Sequence, residues 1–368
     1  PQPCRPGAFG AGAFQGWRVR GLASESVTGE SAGSTLRIHL LPFALFAILA
    51  LAWIGSNPLD LAEAILLTRS SLPLGDFALT QYSPLYLLIL HLWSEVSEHA
   101  TWLRGLGVGF GAASILLGPW VLRGLGGTHA TRAAFWLLAA SPFLIGHVRV
   151  LSTSQLSLLT VMCAYLCFIE YNRAGQLGWL AGWVLSILAA LLTHGGLYCV
   201  ALVHCLAMVV YRRRFHQRQR NWWLAQIPVL CLFAILSGAQ LGHFVGHRIS
   251  ETNTAISASV QWAQLGTGLP LPWSAIAGGL MLLLLASGAA VCRDWRRNPR
   301  HGLLLIGCGV PTLTWLVWLP YDFYAVAALP CLVTLAAMGT RLYPRWARQV
   351  LWCAVAVTYG WSHWRLLT

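Results

Sequence analysis

The sequence predicts an all-α polytopic membrane protein with about eleven transmembrane helices, within a range of about 10–12. Two observations carry that expectation. Apolar runs long enough to cross a bilayer recur along the whole chain. The charged residues between them are sorted by sign, with arginines in one alternate set of loops and carboxylates in the other. Of the 368 residues 57% are hydrophobic and 10% charged, and the mean hydropathy is +0.63. A soluble domain carries about 25% charged residues. A chain this apolar cannot clothe itself for water, but lipid makes no such demand.

Residues 1–36 are rich in Gly, Ala and Ser and begin at Pro1. They read as a disordered N-terminal tail, or as residues ahead of the true start. A signal peptide would need a basic stretch before an apolar core and a cleavage site. Residues 37–368 read as a single transmembrane domain. Its apolar runs fall at about 38–56, 104–122, 133–147, 153–171, 177–193, 195–211, 222–242, 273–292, 302–320, 325–340 and 348–364. Each is near the length that spans about 30 Å of hydrocarbon.

All 24 basic residues are Arg. Taking loops alternately, fifteen of them fall in one set: Arg123, Arg132, Arg173, Arg212, Arg213, Arg214, Arg218, Arg220, Arg293, Arg296, Arg297, Arg300, Arg341, Arg345 and Arg348. The other set holds Arg69, Arg104, Arg149, Arg248 and Arg365. Positive charge retained inside makes the first set cytoplasmic, together with the N-terminus. The net charge of +13 is therefore a topology signal, and a nucleic-acid partner is not expected. The membrane in question reads as a bacterial inner membrane. Seven of the eleven acids fall on the opposite side: Asp60, Glu63, Asp76, Glu95, Glu98, Glu251 and Asp322. Most cysteines lie inside apolar runs with no CxxC pair, so they read as small packing residues.

Two outer loops are long, 57–103 and 243–272. The first carries five carboxylates and many Trp, Tyr, Leu and Pro. It is expected to lie along the membrane surface as amphipathic helices, and long structured loops are usually functional. Asp60 and Glu63, one helical turn apart, share a helix face. A carboxylate at the outer membrane edge can act as general base on a hydroxyl. The competing reading is a helix start, where acids complement the dipole after Asn57-Pro58. Arg104 and Arg149 oppose the positive-inside trend. They are either snorkelling anchors or a fork for a phosphate group. His243 and His247, four apart, could face a metal together with a third ligand. No third ligand is evident, so no cofactor is expected with certainty and a divalent metal is left open.

These pieces, in order, resemble the polytopic glycosyltransferases of the GT-C type, above all the dolichyl-phosphate-mannose–protein mannosyltransferases and the bacterial aminoarabinose transferases. The matching residues are Asp60, then Tyr82-Ser83-Pro84-Leu85-Tyr86 with Leu90-His91-Leu92-Trp93, then Arg104. They continue with Ser141-Pro142-Phe143 through His147-Val148-Arg149, Thr193-His194-Gly195, and Tyr324-Ala325-Val326-Ala327-Ala328-Leu329-Pro330. The pattern departs from the family where Asp60 is followed by Leu61, where Ser152-Thr153-Ser154 replaces a stretch that often holds a carboxylate, and where Phe323 precedes Tyr324.

The resemblance implies an inverting transferase that moves a sugar from a polyprenyl-phosphate donor to a lipid or protein acceptor outside the cytoplasm. It implies Asp60 as the base with Glu63 as the second candidate, and Arg104 and Arg149 at the donor phosphate. Substrate contacts would come from Tyr82, Pro84, Tyr86, His147, His194 and Tyr324. Two other readings remain: a non-catalytic relative that binds polyprenyl lipid or a partner subunit, and a transporter. Transporters favour internal repeats and ionisable groups at mid-membrane. Here there is no internal repeat, and only Glu170 lies within a span, near its inner end.

Overall fold

The computed structural model describes residues 32–52, 54, 59, 61–71, 83–247, 273–318 and 322–367. The chain divides into two compact units, Pro1–Leu40 and Leu41–Thr368. The described part of the first is the opening of α1 (Ala32–Leu51); the second holds all that follows.

Every regular element among the described residues is helical. Two short helices precede the bundle, α2 (Leu61–Ser70) and α3 (Pro84–Ser94). Then come α4 (Ala100–Gly126), α5 (Thr128–Ala139), α6 (Pro142–Val148), α7 (Ser154–Ala174), α8 (Leu177–Thr193) and α9 (Tyr198–Val210). The second half contains α10 (Arg212–His247), α11 (Trp273–Val291), α12 (Pro299–Trp318), α13 (Asp322–Gly339) and α14 (Arg345–Leu367). Each of the eleven apolar runs is thus helical over most of its length. The run at 133–147 is broken in two, because Ser141 caps a new helix and Pro142 takes its first position, where a missing N–H costs nothing. The run at 222–242 begins ten residues earlier as a helix, since Arg212 to Asn221 continue the same turn pattern outside the apolar zone.

Three helices are individually long and apolar enough to cross a membrane: Ala100–Gly126, Ser154–Ala174 and Tyr324–Leu342. They pack on one another, α4 against α7 and α13 against both. Around them exposed apolar side chains such as Leu116, Trp120, Leu185, Ile235 and Val357 form an outer surface suited to lipid tails. Small residues permit the closest crossings, as expected where helices meet without water to expel. A side chain at Gly288 of α11 would stand 2.1 Å from the Leu335 carbonyl of α13, and one at Gly339 would stand 2.2 Å from the Leu284 carbonyl. Deep in the bundle Trp183 donates its indole N–H to His204 Nδ1 at 2.9 Å, and His204 stacks on Phe168.

The arginine-rich loops meet on one face by direct contact. Arg218 donates to the Tyr171 carbonyl, while the Tyr171 hydroxyl donates back to the Arg218 carbonyl. Tyr211 donates to the Trp295 carbonyl, and its hydroxyl occupies the notch left by Gly302. The backbone of Gly127 lies beside Arg300. Tyr343 and Ser287 share a hydrogen bond of 2.6 Å. Arg104 and Arg149, which the sequence sorts to the opposite side, make their contacts elsewhere.

Candidate functional site

The short helices α2 and α3 dock on the start of α4. Pro84 opens α3 directly after Ser83, and α3 buries Tyr86, Leu87 and Leu90. Tyr86 and Leu90 join Leu103 and Leu106 of α4 and Leu151 and Leu156 in a small apolar cluster. A tryptophan pair fixes the corner between α3 and α4. Trp93 and Trp102 stack with centroids 4.3 Å apart. Each indole donates to the carbonyl of the other, at 2.8 and 3.0 Å. His99 then caps α4 by accepting the Thr101 N–H.

This docking brings Glu63 against Arg104. The Arg104 Nε and Nη2 donate to the two Glu63 carboxylate oxygens at 2.8 and 2.7 Å, a fork-to-fork geometry. Both side chains are buried, 4% and 1% exposed. Glu63 Oε1 also accepts the Leu151 N–H at 2.8 Å, and Arg104 Nη1 donates to the Ile54 carbonyl at 3.0 Å. One carboxylate thereby ties α2, α4 and the turn before α7 together. Tyr86 lies within the influence of this charge. Burial first, and the Glu63 carboxylate second, push its phenol well up. It stays an O–H donor at every working pH, and that hydroxyl is buried without a hydrogen-bond partner.

Arg149 stands at the end of α6. Its Nε and Nη2 both donate to the Leu49 carbonyl of α1, at 3.2 and 2.6 Å, while Nη1 is buried without a partner. Burial lowers its pKa, as expected for a cation taken out of water. Its backbone is seated against α4, where a side chain at Gly107 would stand 3.1 Å from the Val148 carbonyl. His147 packs edge-on against Phe143, and its carbonyl accepts the Ser152 hydroxyl. His194, beyond the end of α8, accepts the Gly196 N–H at 3.0 Å. Burial lowers its imidazole to about 3, so it is neutral. The Tyr324 hydroxyl reaches the same spot, since a side chain at Gly196 would meet both it and the His194 ring.

The candidate residues thus form three groups: Glu63, Arg104 and Tyr86; Arg149 with His147; and His194 with Tyr324. Pro84 serves as the first residue of α3. Asp60 and Tyr82 lie outside the described residues, as do the side chains of His243 and His247. Among the described residues no three His, Cys, Asp or Glu side chains converge on a metal-holding point. Sequence reasoning missed the backbone partners, namely the Leu151 N–H and the Ile54 and Leu49 carbonyls, because main-chain groups leave no residue signal. It also missed Gln155, buried at the start of α7 with its Nε2 on the Leu144 carbonyl and its Oε1 without a partner.

A scan of protein-family models and a search of curated proteins give no match to the sequence. Solved structures do resemble the fold. ArnT from Cupriavidus metallidurans in the apo state superposes with a TM-score of 0.63 at 16% identity, covering 89% of this chain and 63% of that one. The same protein bound to undecaprenyl phosphate gives 0.61 at 15%, covering 89% and 64%. The archaeal oligosaccharyltransferase AglB from Archaeoglobus fulgidus, in complex with an inhibitory peptide and a dolichol-phosphate, gives 0.57 at 12%, covering 90% and 55%. The chain spans less than two thirds of the length of these structures. Both are GT-C glycosyltransferases. At such identities the likeness establishes the fold: this is an integral membrane protein of GT-C-like architecture, as its sequence motifs imply.

Proposed function

We propose that the chain is a membrane glycosyltransferase that takes a sugar from a polyprenyl-phosphate donor and passes it, with inversion, to an extracytoplasmic lipid or protein acceptor. The observation that carries this reading is the structural likeness to two GT-C transferases solved with a polyprenyl phosphate, undecaprenyl in one and dolichol in the other. In this reading eleven spans place the arginine-rich loops and the N-terminus in the cytoplasm of a bacterial inner membrane. The Glu63–Arg104 face then lies outside.

The chemistry needs a base and a stabilised leaving group. Asp60 removes the acceptor hydroxyl proton as the oxygen bonds to the anomeric carbon. The bond from that carbon to the phosphate oxygen breaks, and its electron pair leaves with the lipid phosphate. Arg149, with one Nη buried and without a partner, is the cation best suited to receive that charge. Arg104 is already neutralised by Glu63, so its contribution to the phosphate is a longer-range field. Glu63, bonded to Arg104 and to the Leu151 N–H, acts here as a positioning carboxylate that holds α2 against α4. Tyr86, His147, His194 and Tyr324 shape the substrate surroundings with Tyr82 and Pro84.

A second reading is a non-catalytic relative that binds polyprenyl lipid, and the burial of the Glu63–Arg104 pair favours it. One experiment separates the two. Purified protein is supplied with polyprenyl-phosphate sugars and acceptors, and both transfer and lipid binding are measured. Transfer by wild type that falls about 100-fold or more in Asp60→Asn supports catalysis. Polyprenyl-phosphate binding with no transfer supports the non-catalytic relative. Absence of both removes both readings.

A further inference from the structure

Arg104 and Arg149 both bond to backbone at the end of α1. The last four carbonyls of a helix have no N–H of that helix to accept. In α1 they belong to Ile48 through Leu51. The Ile48 carbonyl takes the Ala52 N–H at 2.9 Å, and the Leu51 carbonyl takes the Ile54 N–H at 3.4 Å. The Leu49 carbonyl takes Arg149, through Nε at 3.2 Å and Nη2 at 2.6 Å. Just past the helix the Ile54 carbonyl takes Arg104 Nη1, while Nε and Nη2 of that arginine are forked on Glu63.

The C-terminal end of a helix carries about half a unit of negative charge. An oxygen there that accepts two N–H groups of one guanidinium does what a phosphate oxygen would do. Two of the three Arg149 nitrogens are spent in this way, and the third, Nη1, is buried. A phosphate can take the Nε–Nη2 edge of Arg149 only where the Leu49 carbonyl yields it. The cation itself is firmly seated. The Val148 carbonyl lies 3.1 Å from where a side chain at Gly107 of α4 would stand. Gln155 ties α6 to α7 through the Leu144 carbonyl. The body of α1 is seated too, one turn before Leu49. Phe46 is fully buried, and its ring lies 2.8 Å from where a side chain at Gly111 would stand. In the last turn, by contrast, Leu51 is 57% exposed. That turn can shift while Phe46 keeps the helix in place.

We propose that the last turn of α1 is an autoinhibitory latch, in which the Leu49 carbonyl occupies Arg149 until the phosphate of a polyprenyl-phosphate ligand displaces it. The inference rests on the proposed use of Arg149 for that phosphate and adds its regulation. The latched end of α1 and the bound phosphate exclude one another. Apparent affinity for the lipid is then reduced by the fraction of molecules that are unlatched.

The test weakens one carbonyl and leaves every side chain in place. Ala50→lactic acid, made by nonsense suppression in the full chain, turns the Leu49–Ala50 amide into an ester, whose carbonyl is a poorer acceptor. Ala47→lactic acid is the control, since it also removes one N–H of α1 but spares the Leu49 carbonyl. Binding of undecaprenyl phosphate and of undecaprenol is measured by native mass spectrometry of detergent-purified protein. The ester at residue 50 is expected to bind undecaprenyl phosphate about three- to tenfold more tightly than wild type, the scale of one weakened charge-assisted hydrogen bond. Undecaprenol should bind all forms alike, and in an Arg149→Gln background the ester should add nothing. Affinity that is unchanged or lower in the ester form would overturn the latch and leave the transferase reading standing. An equal gain in the control, a gain for undecaprenol, or a gain that persists without Arg149 would show general loosening of α1 and overturn it as well. Undecaprenyl phosphate that binds to no form would remove the donor reading and the latch together.

Discussion

Replacing Glu63 tests how firmly α2 is fastened to the bundle. In Glu63→Ala the Arg104 guanidinium, 4% exposed, loses its forked partner while it remains buried. Removing one member of a buried ion pair costs about 3–5 kcal/mol. The Leu151 N–H loses its acceptor as well, a further loss of about 1–3 kcal/mol. Glu63→Gln keeps an oxygen for Leu151 and removes only the charge, so it should fall between wild type and Glu63→Ala. Arg104→Ala should cost about as much as Glu63→Ala, since it strands a carboxylate that is 1% exposed. The double variant should then be less destabilised than the sum of the singles, with a coupling of about 2 kcal/mol or more. The assay is denaturant unfolding in detergent, followed by the fluorescence of the 19 tryptophans. Losses that add within about 0.5 kcal/mol would refute the bidentate pair and the positioning role built on it.

Three further outcomes follow from the packing and the titrating groups. Gly302→Ala would set a methyl 1.6 Å from the Tyr211 hydroxyl; it should lose about 1–3 kcal/mol, and much of that should return with Tyr211→Ala. Trp93→Phe and Trp102→Phe each delete one half of the reciprocal indole bonding, so each should cost about 1 kcal/mol in melting experiments while leaving α8 and α9 untouched in hydrogen exchange. His194 stays neutral in the fold down to about pH 3, whereas the unfolded chain takes up its proton near 6.5. Stability should therefore fall as pH drops from about 6.5 toward 3, by up to about 1.4 kcal/mol per unit. His194→Gln should flatten that slope in pH-dependent unfolding.

The helical character was legible because lipid imposes one rule, that a crossing segment must be long and apolar; among the described residues three helices meet it individually. The grouping of the arginine-rich loops was legible for a related reason: Arg218 bonds to the Tyr171 carbonyl and Tyr211 to the Trp295 carbonyl, contacts between loops that the alternation sorts together. Glu63 was visible as a carboxylate in a significant loop, yet its partner was not. Arg104 is 41 residues away, and no local pattern links the two. Arg149 attracted notice by its sign on the wrong side, while its hold on the Leu49 carbonyl could not be foreseen. Any residue at that position would present the same carbonyl. The break at Ser141-Pro142 was readable in principle from capping and proline chemistry, but a continuous apolar count smooths over it.

The tryptophan pair gives the region around α3 and α4 an order of assembly. Trp93 and Trp102 bond across nine residues, whereas the Glu63–Arg104 pair closes 41 and the Arg149 hook on α1 closes 100. Shorter closures lose less entropy and form sooner. During synthesis the corner between α3 and α4 can set as soon as Trp102 emerges, before α6 exists. The ion pair then draws α2 onto a finished ledge, and Arg149 arrives last to fasten α1. A chain arrested before residue 149 would already carry the α3–α4 corner, but not the Leu151 N–H that completes the Glu63 contacts.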